Sequence, residues 1–247
     1  MPISIPLTPY GRREILLYGA GSLLALLLLP IVATATHLYW LTILDLPFLA
    51  LFVFTIQFFR DPERAPAPGA TAGDLLSPAD GTVVDVVEVD EPEFVGGRAR
   101  RIGVFMSPLN CHVNRFPCDG VVEKVLHRAG KFLAAYDPRA IVENECSLTG
   151  IRARLEGGGE ARLLLRQVSG VAARRIVNPL ALGAPAVRGQ RFGMIKFGSR
   201  CELYLPIDAP FEVAVKVGDR TYAGHTILAR PAKVPVAGGS PVAGARS

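Results

Sequence analysis

The chain has 247 residues, a formal net charge of +5 at pH 7 and a sequence pI of about 9.2. Its four cysteines are irregularly spaced and no secretory cleavage pattern is present, which argues against a disulfide scaffold and indicates a reducing compartment. The first sixty residues are far more apolar than the rest, so the positive mean hydropathy reflects an anchor, and the remaining length still suffices for a buried core.

Residues 1–60 contain two apolar runs. The run at 15–35 is long enough to span a membrane, and the run at 41–59 is interrupted by Asp45 and Pro47. The connection THLYW holds the single Trp, as membrane interfaces often do. Arginines flank both outer ends and are absent from the connection, so the positive-inside rule predicts a membrane-anchoring helical hairpin in the inner (cytoplasmic) membrane, with the main domain on the cytoplasmic side. A hairpin confined to one leaflet is the alternative.

Residues 61–72 (DPERAPAPGATA) form a Pro/Ala/Gly-rich linker. From 73 to 230 the pattern is one of short β runs broken by Gly, Pro and Asp, which is typical of a sandwich or barrel. We therefore predict a mainly β fold, a compact β-sandwich or partly closed barrel with few short helices, one of them at 171–177, preceded by the hydrophobic hairpin. The Pro/Gly/Ala-rich tail, 231–247, is predicted to be disordered.

The stretch GMIKFGSRCELYLP places a Gly-Ser pair, Gly198 and Ser199, between two strand-like runs. A glycine inside a strand pattern marks a bulge or a close approach, and its carbonyl has no side chain to shield it. Attack by Ser199 Oγ would shift the peptide bond to an ester. β-Elimination would then cut the chain and leave a dehydroalanine that hydrolyses to a pyruvoyl group. A plain turn or bulge is the alternative, because Gly and Ser are ordinary loop residues.

Three further stretches carry polar residues suited to chemistry. SPADG places Asp80 in a tight turn before a strand, where a plain turn residue is the simpler interpretation. FMSPLNCHVNR places His112 on a polar loop; a neutral imidazole there can accept a hydroxyl proton near pH 7, although a loop histidine is usually just solvated. QVSGVAARRI places Arg174 and Arg175 near a predicted helix start, which favours either an anion site or two solvent-facing arginines.

Together these motifs resemble one family, the phosphatidylserine decarboxylase proenzymes, and in particular their short form. The resemblance covers nearly the whole ordered chain in the family's order. It is carried by these segments: FFRDPER (58–64), SPADG (77–81), FMSPLNCHVNR (105–115), QVSGVAARRI (167–176), RFGMIKFGSR (191–200) and VGDRTYAGHTILA (217–229). Several separate motifs in register form a specific signal, which no single one of them gives.

The resemblance implies that the proenzyme cuts itself between Gly198 and Ser199. A β subunit, 1–198, and an α subunit, 199–247, would stay associated as a heterodimer, and Ser199 would become a covalent pyruvoyl (pyruvate) cofactor. This group would form a Schiff base with phosphatidylserine in the membrane and accept the electrons released as CO2 departs, which yields phosphatidylethanolamine. The basic net charge fits an anionic lipid substrate. No nucleic-acid partner is expected, and a higher homo-oligomer is left open.

Roles for the polar residues follow from that chemistry. His112 is the candidate base for Ser199, and Asp80 is expected to orient its imidazole, by the logic of nucleophile, base and orienter. Longer family members carry two histidines three residues apart in the corresponding loop, whereas this chain has Arg115 at the second position. Arg115, Arg174 and Arg175 are the candidates for binding the substrate.

Other functions stay open on the sequence alone. A serine hydrolase using Ser199, His112 and Asp80 would keep its chain intact, and it lacks a Gly-x-Ser-x-Gly elbow. A non-enzymatic membrane-anchored carrier or adaptor domain would use Lys196 as its modified lysine, and a related pyruvoyl enzyme would act on another amino acid. Cys111 and Cys118 flank His112, but their spacing matches no common zinc site, so no metal is expected.

Overall fold

The computed structural model describes residues 6–133, 139–156, 158–170, 175–196 and 199–232. This part of the chain is mainly β, with a hydrophobic helical hairpin in front of a curled sheet that forms half a barrel. The predicted fold class is therefore confirmed.

Some predicted features cannot be placed. Gly198 and Arg174 lie outside the described residues, as do positions 233–247 of the predicted disordered tail. The tail prediction began two residues earlier, at Pro231, and this residue still belongs to the last strand.

The N-terminal hairpin consists of two helices, Pro9–Thr36 and Tyr39–Phe58, each long and apolar enough to cross a membrane. His37 ends the first helix in the left-handed conformation, with a φ of 57°. Small residues let the helices approach closely, since a Cβ added at Gly19 would lie 3.6 Å from Thr55 Cγ2. Within the hairpin the backbone is 3₁₀ at Pro9–Gly11 and Tyr39–Leu44, π at Ile15–Ala20, and α at Arg12–Glu14, Gly21–Thr36 and Asp45–Phe58. In the described part of the main domain there is one short α-helix, Ala140–Glu143.

The main domain is built from short antiparallel strands. In chain order the strands of the described residues are β1 Leu75–Leu76, β2 Gly81–Glu91, β3 Gly97–Met106, β4 Val113–Arg115, β5 Gly120–Arg128, β6 Cys146–Arg154, β7 Glu160–Val168, β8 Arg175–Val177, β9 Pro185–Ala186, β10 Arg191–Lys196, β11 Ser199–Pro206, β12 Phe211–Val213, β13 Arg220–Thr221 and β14 Ile227–Pro231. The prediction of a helix over 171–177 is wrong at its C-terminal end, because Ile176 and its neighbours pair with β10.

Eight strands form one sheet in the order β13-β2-β3-β11-β7-β6-β5-β9. β11 lies in the interior of this sheet, hydrogen-bonded to β3 on one side and to β7 on the other. Leu203 and Leu205 of β11 enter the main apolar core. Successive strand residues point to opposite faces, so Arg200 and Glu202 lie on the other face, and both are buried.

Two three-stranded sheets complete the fold, with the orders β4-β10-β8 and β1-β14-β12. β10 ends at Lys196 and β11 begins at Ser199 in the large sheet. Ser199 is therefore the first residue of the large sheet after the chain leaves β10.

The predicted linker at 61–72 is held to the β strands and their connecting loops by several hydrogen bonds. Asp61 accepts a hydrogen bond from Arg115 at 3.1 Å, and the Ala65 carbonyl pairs with His225 Nδ1 at 2.8 Å. Further along, the Ala67 amide donates to the His225 carbonyl at 3.0 Å. These contacts fix where the hairpin leaves the β domain.

Candidate active site

Ser199 opens β11 in a fully buried position. Ser199 is 0% exposed and pairs with Met106 at the end of β3. Its Oγ lies 3.4 Å from Met106 Sδ. Burial follows from the strand order, because β3 and β7 cover β11 on both edges. A hydroxyl at this place is shielded from bulk water, as a self-processing bond requires if hydrolysis is to be avoided.

His112 lies on the loop that follows β3 and is 0% exposed. This loop is attached to the chain on both sides of Gly198–Ser199: it starts next to Met106, which pairs with Ser199, and its His112 carbonyl accepts from the Ile195 amide at 3.3 Å. The fold thus brings the predicted base and the predicted nucleophile into one region.

The hydrogen bond at the imidazole identifies the tautomer of His112. Its Nδ1 lies 3.0 Å from the Asn110 carbonyl oxygen. A carbonyl only accepts, so in the neutral ring the proton lies on Nδ1 and the lone pair lies on Nε2. Asn110 is held in turn by a tight loop, since its Oδ1 accepts from the Ser107 amide and hydroxyl, each at 2.8 Å.

Burial keeps this imidazole neutral. Desolvation is the largest cause and lowers the pKa of His112 to about 4, the Asn110 carbonyl and Asp80 oppose the shift, and the charge of Arg60 adds to it. At neutral pH the ring is therefore unprotonated and able to accept a proton.

Asp80 is placed differently from the prediction. Its carboxylate is buried and forms a two-point ion pair with Arg64, one arm of which measures 2.7 Å, and it also accepts from the Ala223 amide at 2.8 Å. The orienting hydrogen bond expected from Asp80 to the imidazole is made by the Asn110 carbonyl instead. Asp80 acts on His112 as a nearby negative charge that favours its protonated form. Its part in the reaction stays a prediction.

The three predicted substrate arginines separate in space. Arg115 is buried, and its guanidinium donates to Asp61 and to the carbonyls of Pro62 and Gly189, so it clamps the linker. Desolvation lowers its pKa. Arg174 lies outside the described residues. Arg175 is exposed on β8, at the edge of a cleft beside the first helix.

A cluster of buried polar side chains lies next to Ser199. Its members were not predicted individually from the sequence. Gln167 Nε2 donates to Asn114 Oδ1 at 2.8 Å, and Asn114 Nδ2 contacts Met106 Sδ at 3.9 Å. Gln167 Oε1 and Ser169 Oγ are buried and accept or donate no hydrogen bond within the described chain. Both residues belong to a motif quoted above, but only the strand pairing of β7 with β11 indicates their proximity.

The hairpin is in direct contact with the site. The Phe58 ring, at the end of the second helix, lies 4.4 Å from the His112 ring between centroids, at an angle of 30°. Arg60 donates to the Leu109 carbonyl at 2.9 Å, and the Cys111 thiol contacts the Arg60 carbonyl at 3.3 Å. The loop that carries His112 is thus held by the residues at which the chain leaves the hairpin.

Lys196 closes β10 and is also buried. Its ammonium pairs with Glu14 of the first helix at 2.8 Å. A lysine in a buried strand differs from the exposed hairpin-tip lysine that a carrier domain needs. Within the described ranges no group of three or more His, Cys, Asp and Glu side chains is placed to hold a metal ion.

Comparison with known proteins shows the family of this chain. The family model described as phosphatidylserine decarboxylase matches residues 51–229, a range that includes Asp80, His112 and Ser199. The chain belongs to the phosphatidylserine decarboxylase family. Among its relatives, the phosphatidylserine decarboxylase proenzyme of Chlorobium luteolum is 41% identical over 227 residues, which is 91% of this chain and 99% of that protein.

Two other phosphatidylserine decarboxylase proenzymes extend the comparison. The one from Symbiobacterium thermophilum is 45% identical over 210 residues, covering 85% of this chain and 91% of the relative. The one from Salinibacter ruber is 43% identical over 188 residues, covering 74% of this chain and 80% of the relative. The word proenzyme in these names is consistent with a family whose members are processed.

Proposed function

We propose that this chain is a phosphatidylserine decarboxylase, which converts phosphatidylserine into phosphatidylethanolamine and CO2 with a pyruvoyl group made from Ser199. Family membership supports the decarboxylase activity. The observation that carries the proposed chemistry is the position of Ser199, fully buried at the first residue of β11 and next to the loop of His112. Because it follows Gly198 in the sequence, its hydroxyl is the nucleophile available to the preceding carbonyl.

Self-cleavage consumes one water and needs no oxidant. Ser199 Oγ bonds to the Gly198 carbonyl carbon, the C–N bond breaks, and an ester with a free Ser199 amine results. Loss of the Ser199 Cα proton then expels Gly198 as a carboxylate and leaves dehydroalanine at position 199. Its imine tautomer takes up water and releases ammonia, so the new α subunit begins with a pyruvoyl group.

His112 is the proposed proton acceptor for the Ser199 hydroxyl. Its neutral state at physiological pH and its Nδ1–H tautomer support this role, because the lone pair remains on Nε2. The proposed role of Asp80 is electrostatic: its buried charge, held in place by Arg64, favours the imidazolium that forms when the proton is taken up.

Residues around position 199 fit a pyruvoyl group. When present, that group supplies a pair of conjugated carbonyls that accept the electrons released with CO2. Ser169 directly follows Val168, the last β7 residue paired with β11, and Val168 pairs with Arg200 next to position 199. Its buried hydroxyl, unpartnered within the described chain, is suited to hold a carbonyl or carboxylate oxygen there. Burial of Ser199 and Met106 excludes bulk water from the site.

The proposal also covers the domains and the location of the protein. Residues 1–60 anchor it in the inner membrane, 61–72 link this anchor to the next domain, and 73–230 form the catalytic domain on the cytoplasmic side. The β subunit, 1–198, and the α subunit, 199–247, remain together as a heterodimer. Two apolar helices next to the active-site loop support the membrane location, since the lipid substrate scarcely leaves the bilayer.

Intact mass under denaturing conditions tests the proposal directly. We expect two fragments that divide at Gly198/Ser199, with a pyruvoyl-blocked N-terminus on the smaller one, and release of CO2 from phosphatidylserine in mixed micelles. Ser199→Ala should give one uncut, folded and inactive chain. One uncut wild-type chain would refute the pyruvoyl mechanism and return the serine hydrolase to consideration, while a mass shift on Lys196 would favour a carrier.

A further inference from the structure

A cleft of about 500 Å³ lies between the first turns of the hydrophobic hairpin and the edge strand β8. Its lining includes Arg12, Arg13 and Glu14 from the helix, Arg175 from β8 and Lys196 from β10. This volume lies within the range of small-molecule sites. The cleft joins the membrane anchor to the strand that leads to Ser199, and the catalytic proposal gives it no role.

Positive charge in this cleft exceeds negative charge. Glu14 is already paired with Lys196 at 2.8 Å. Arg12, Arg13 and Arg175 are exposed, and no carboxylate in the described part of the chain forms an ion pair with any of them. Three guanidinium groups are thus left for an anion, and guanidinium is the side-chain group best shaped to bind a phosphate.

The position of the cleft indicates where that anion comes from. Leu16, Leu17 and Tyr18 follow the basic residues on the helix and are 67%, 58% and 46% exposed, as lipid-facing side chains are. The cleft therefore opens at the level where the helix enters the bilayer and where phospholipid phosphates lie. Lys196 lies three residues before Ser199, so the cleft borders the strand that leads to the proposed reacting position.

We propose that this cleft binds the phosphodiester of the phosphatidylserine substrate, with Arg13 and Arg175 as its principal ligands and the Lys196–Glu14 pair as its floor. This inference rests on the proposed decarboxylation of phosphatidylserine. It assigns Arg175 to the phosphate of the substrate.

The test uses the full-length, membrane-anchored protein with Arg13→Gln/Arg175→Gln. Steady-state kinetics are measured on phosphatidylserine in mixed micelles and on soluble glycerophosphoserine, which has the same phosphodiester and no acyl chains. The matched control is Arg154→Gln/Arg230→Gln, which removes the same charge from exposed positions outside this cleft.

We expect the cleft variant to self-cleave completely, to raise KM about tenfold or more for both substrates, and to leave kcat within about twofold. Added salt should shrink the difference from wild type, because exposed ion pairs are screened. The control should match wild type.

Three outcomes would overturn the inference. The first is an unchanged KM in the cleft variant, and the second is an equal rise of KM in the control variant. The third is a rise of KM that appears only when the micelles contain phosphatidylglycerol and is absent with glycerophosphoserine, because another anionic lipid would then occupy the cleft. Absence of any CO2 from the wild-type protein is distinguishable, since it refutes the proposed function itself.

Discussion

The ring of Phe58 lies 4.4 Å from the imidazole of His112, so the last turn of the second hydrophobic helix forms one wall of the candidate active site. The two residues are far apart in the sequence and belong to different parts of the molecule. Their contact means that the seating of the hairpin on the β domain and the environment of the proposed base are physically coupled.

Replacing Phe58 should slow self-cleavage although it removes no reacting group. In Phe58→Leu, water gains access to the imidazole, desolvation weakens and the base is less precisely held. We expect self-cleavage to slow about ten- to a hundredfold, as small misplacements of catalytic groups do. Time-resolved mass spectrometry of newly synthesised protein measures this rate. Val53→Ala, on the same helix but 56% exposed, should cleave at the wild-type rate; equal slowing in both variants would contradict a specific role for Phe58.

The pH dependence of self-cleavage should follow His112. Its pKa of about 4 in the folded state predicts a rate that is constant from pH 8 to about pH 5 and falls below that as the imidazole is protonated. Newly synthesised uncut protein transferred to buffers of different pH provides the measurement. A fall centred near pH 6.5 would show that the base is exposed to water, contrary to its burial. The exposed His127, changed to Gln, is the control.

The same shift has a consequence for stability. Unfolded His112 takes up a proton below about pH 6.5, while the folded residue does so only below about pH 4, so protons favour the unfolded chain in this window. This effect of His112 on the free energy of unfolding is absent above pH 6.5 and grows to about 3 kcal/mol of destabilisation below pH 4. In the uncut Ser199→Ala background, the melting temperature should therefore fall less between pH 7.5 and 4.5 when His112→Gln is added than when His112 is kept. Parallel losses in both proteins would refute this.

The ion pair of Arg64 and Asp80 should behave as one unit. Asp80 is buried and the Arg64 side chain is 15% exposed, so removing either one leaves a largely desolvated charge without its counterpart and costs about 3 kcal/mol of stability. Arg64→Met and Asp80→Asn should each lower the melting temperature, and the double variant should lower it less than the two single effects added together. Only Asp80→Asn should also slow self-cleavage strongly. If Arg64→Met slows it equally, Asp80 acts by holding the linker and not by its charge near His112.

Arg200 should hold the first residues of β11 in place after the chain is cut. Its Nε donates to Glu202 at 2.6 Å, another arm binds Asp85, and Gly103 provides the room, since a Cβ there would lie 2.3 Å from the guanidinium. Arg200→Met should still self-cleave but should unfold more easily by about 3–5 kcal/mol, releasing the α subunit in mild urea. Arg100→Met, which breaks an exposed pair with Glu88, should cost at most about 1 kcal/mol.

The sequence allowed the hairpin and the mainly β fold to be predicted because their signals are local. Apolar length indicates the helices, and short motifs indicate Asp80, His112 and Ser199. The partners of these residues were not predictable in the same way. A backbone carbonyl, that of Asn110, replaces the expected carboxylate at Nδ1, and carbonyls carry no mark in the sequence.

Long-range pairing explains the other differences. Arg115 binds Asp61, which is 54 positions away, and nothing local to the loop distinguishes that role from substrate binding. Likewise Arg175–Val177 is a strand because β10 pairs with it, whereas the sequence predicted the end of a short helix there.

The interior place of β11 also determines the order in which this molecule can be made. The proposed small subunit contributes β11, β12, β13 and β14 to two of the three sheets of the described residues, and β11 separates two halves of the largest sheet. A chain must therefore fold while it is continuous and be cut afterwards. Once cut and denatured, two polypeptides have to meet again, so renaturation becomes a bimolecular process that depends on concentration, whereas the uncut Ser199→Ala chain can refold alone. Maturation would thus make the native state irreversible in practice, and the protein's lifetime would be governed by how slowly it unfolds.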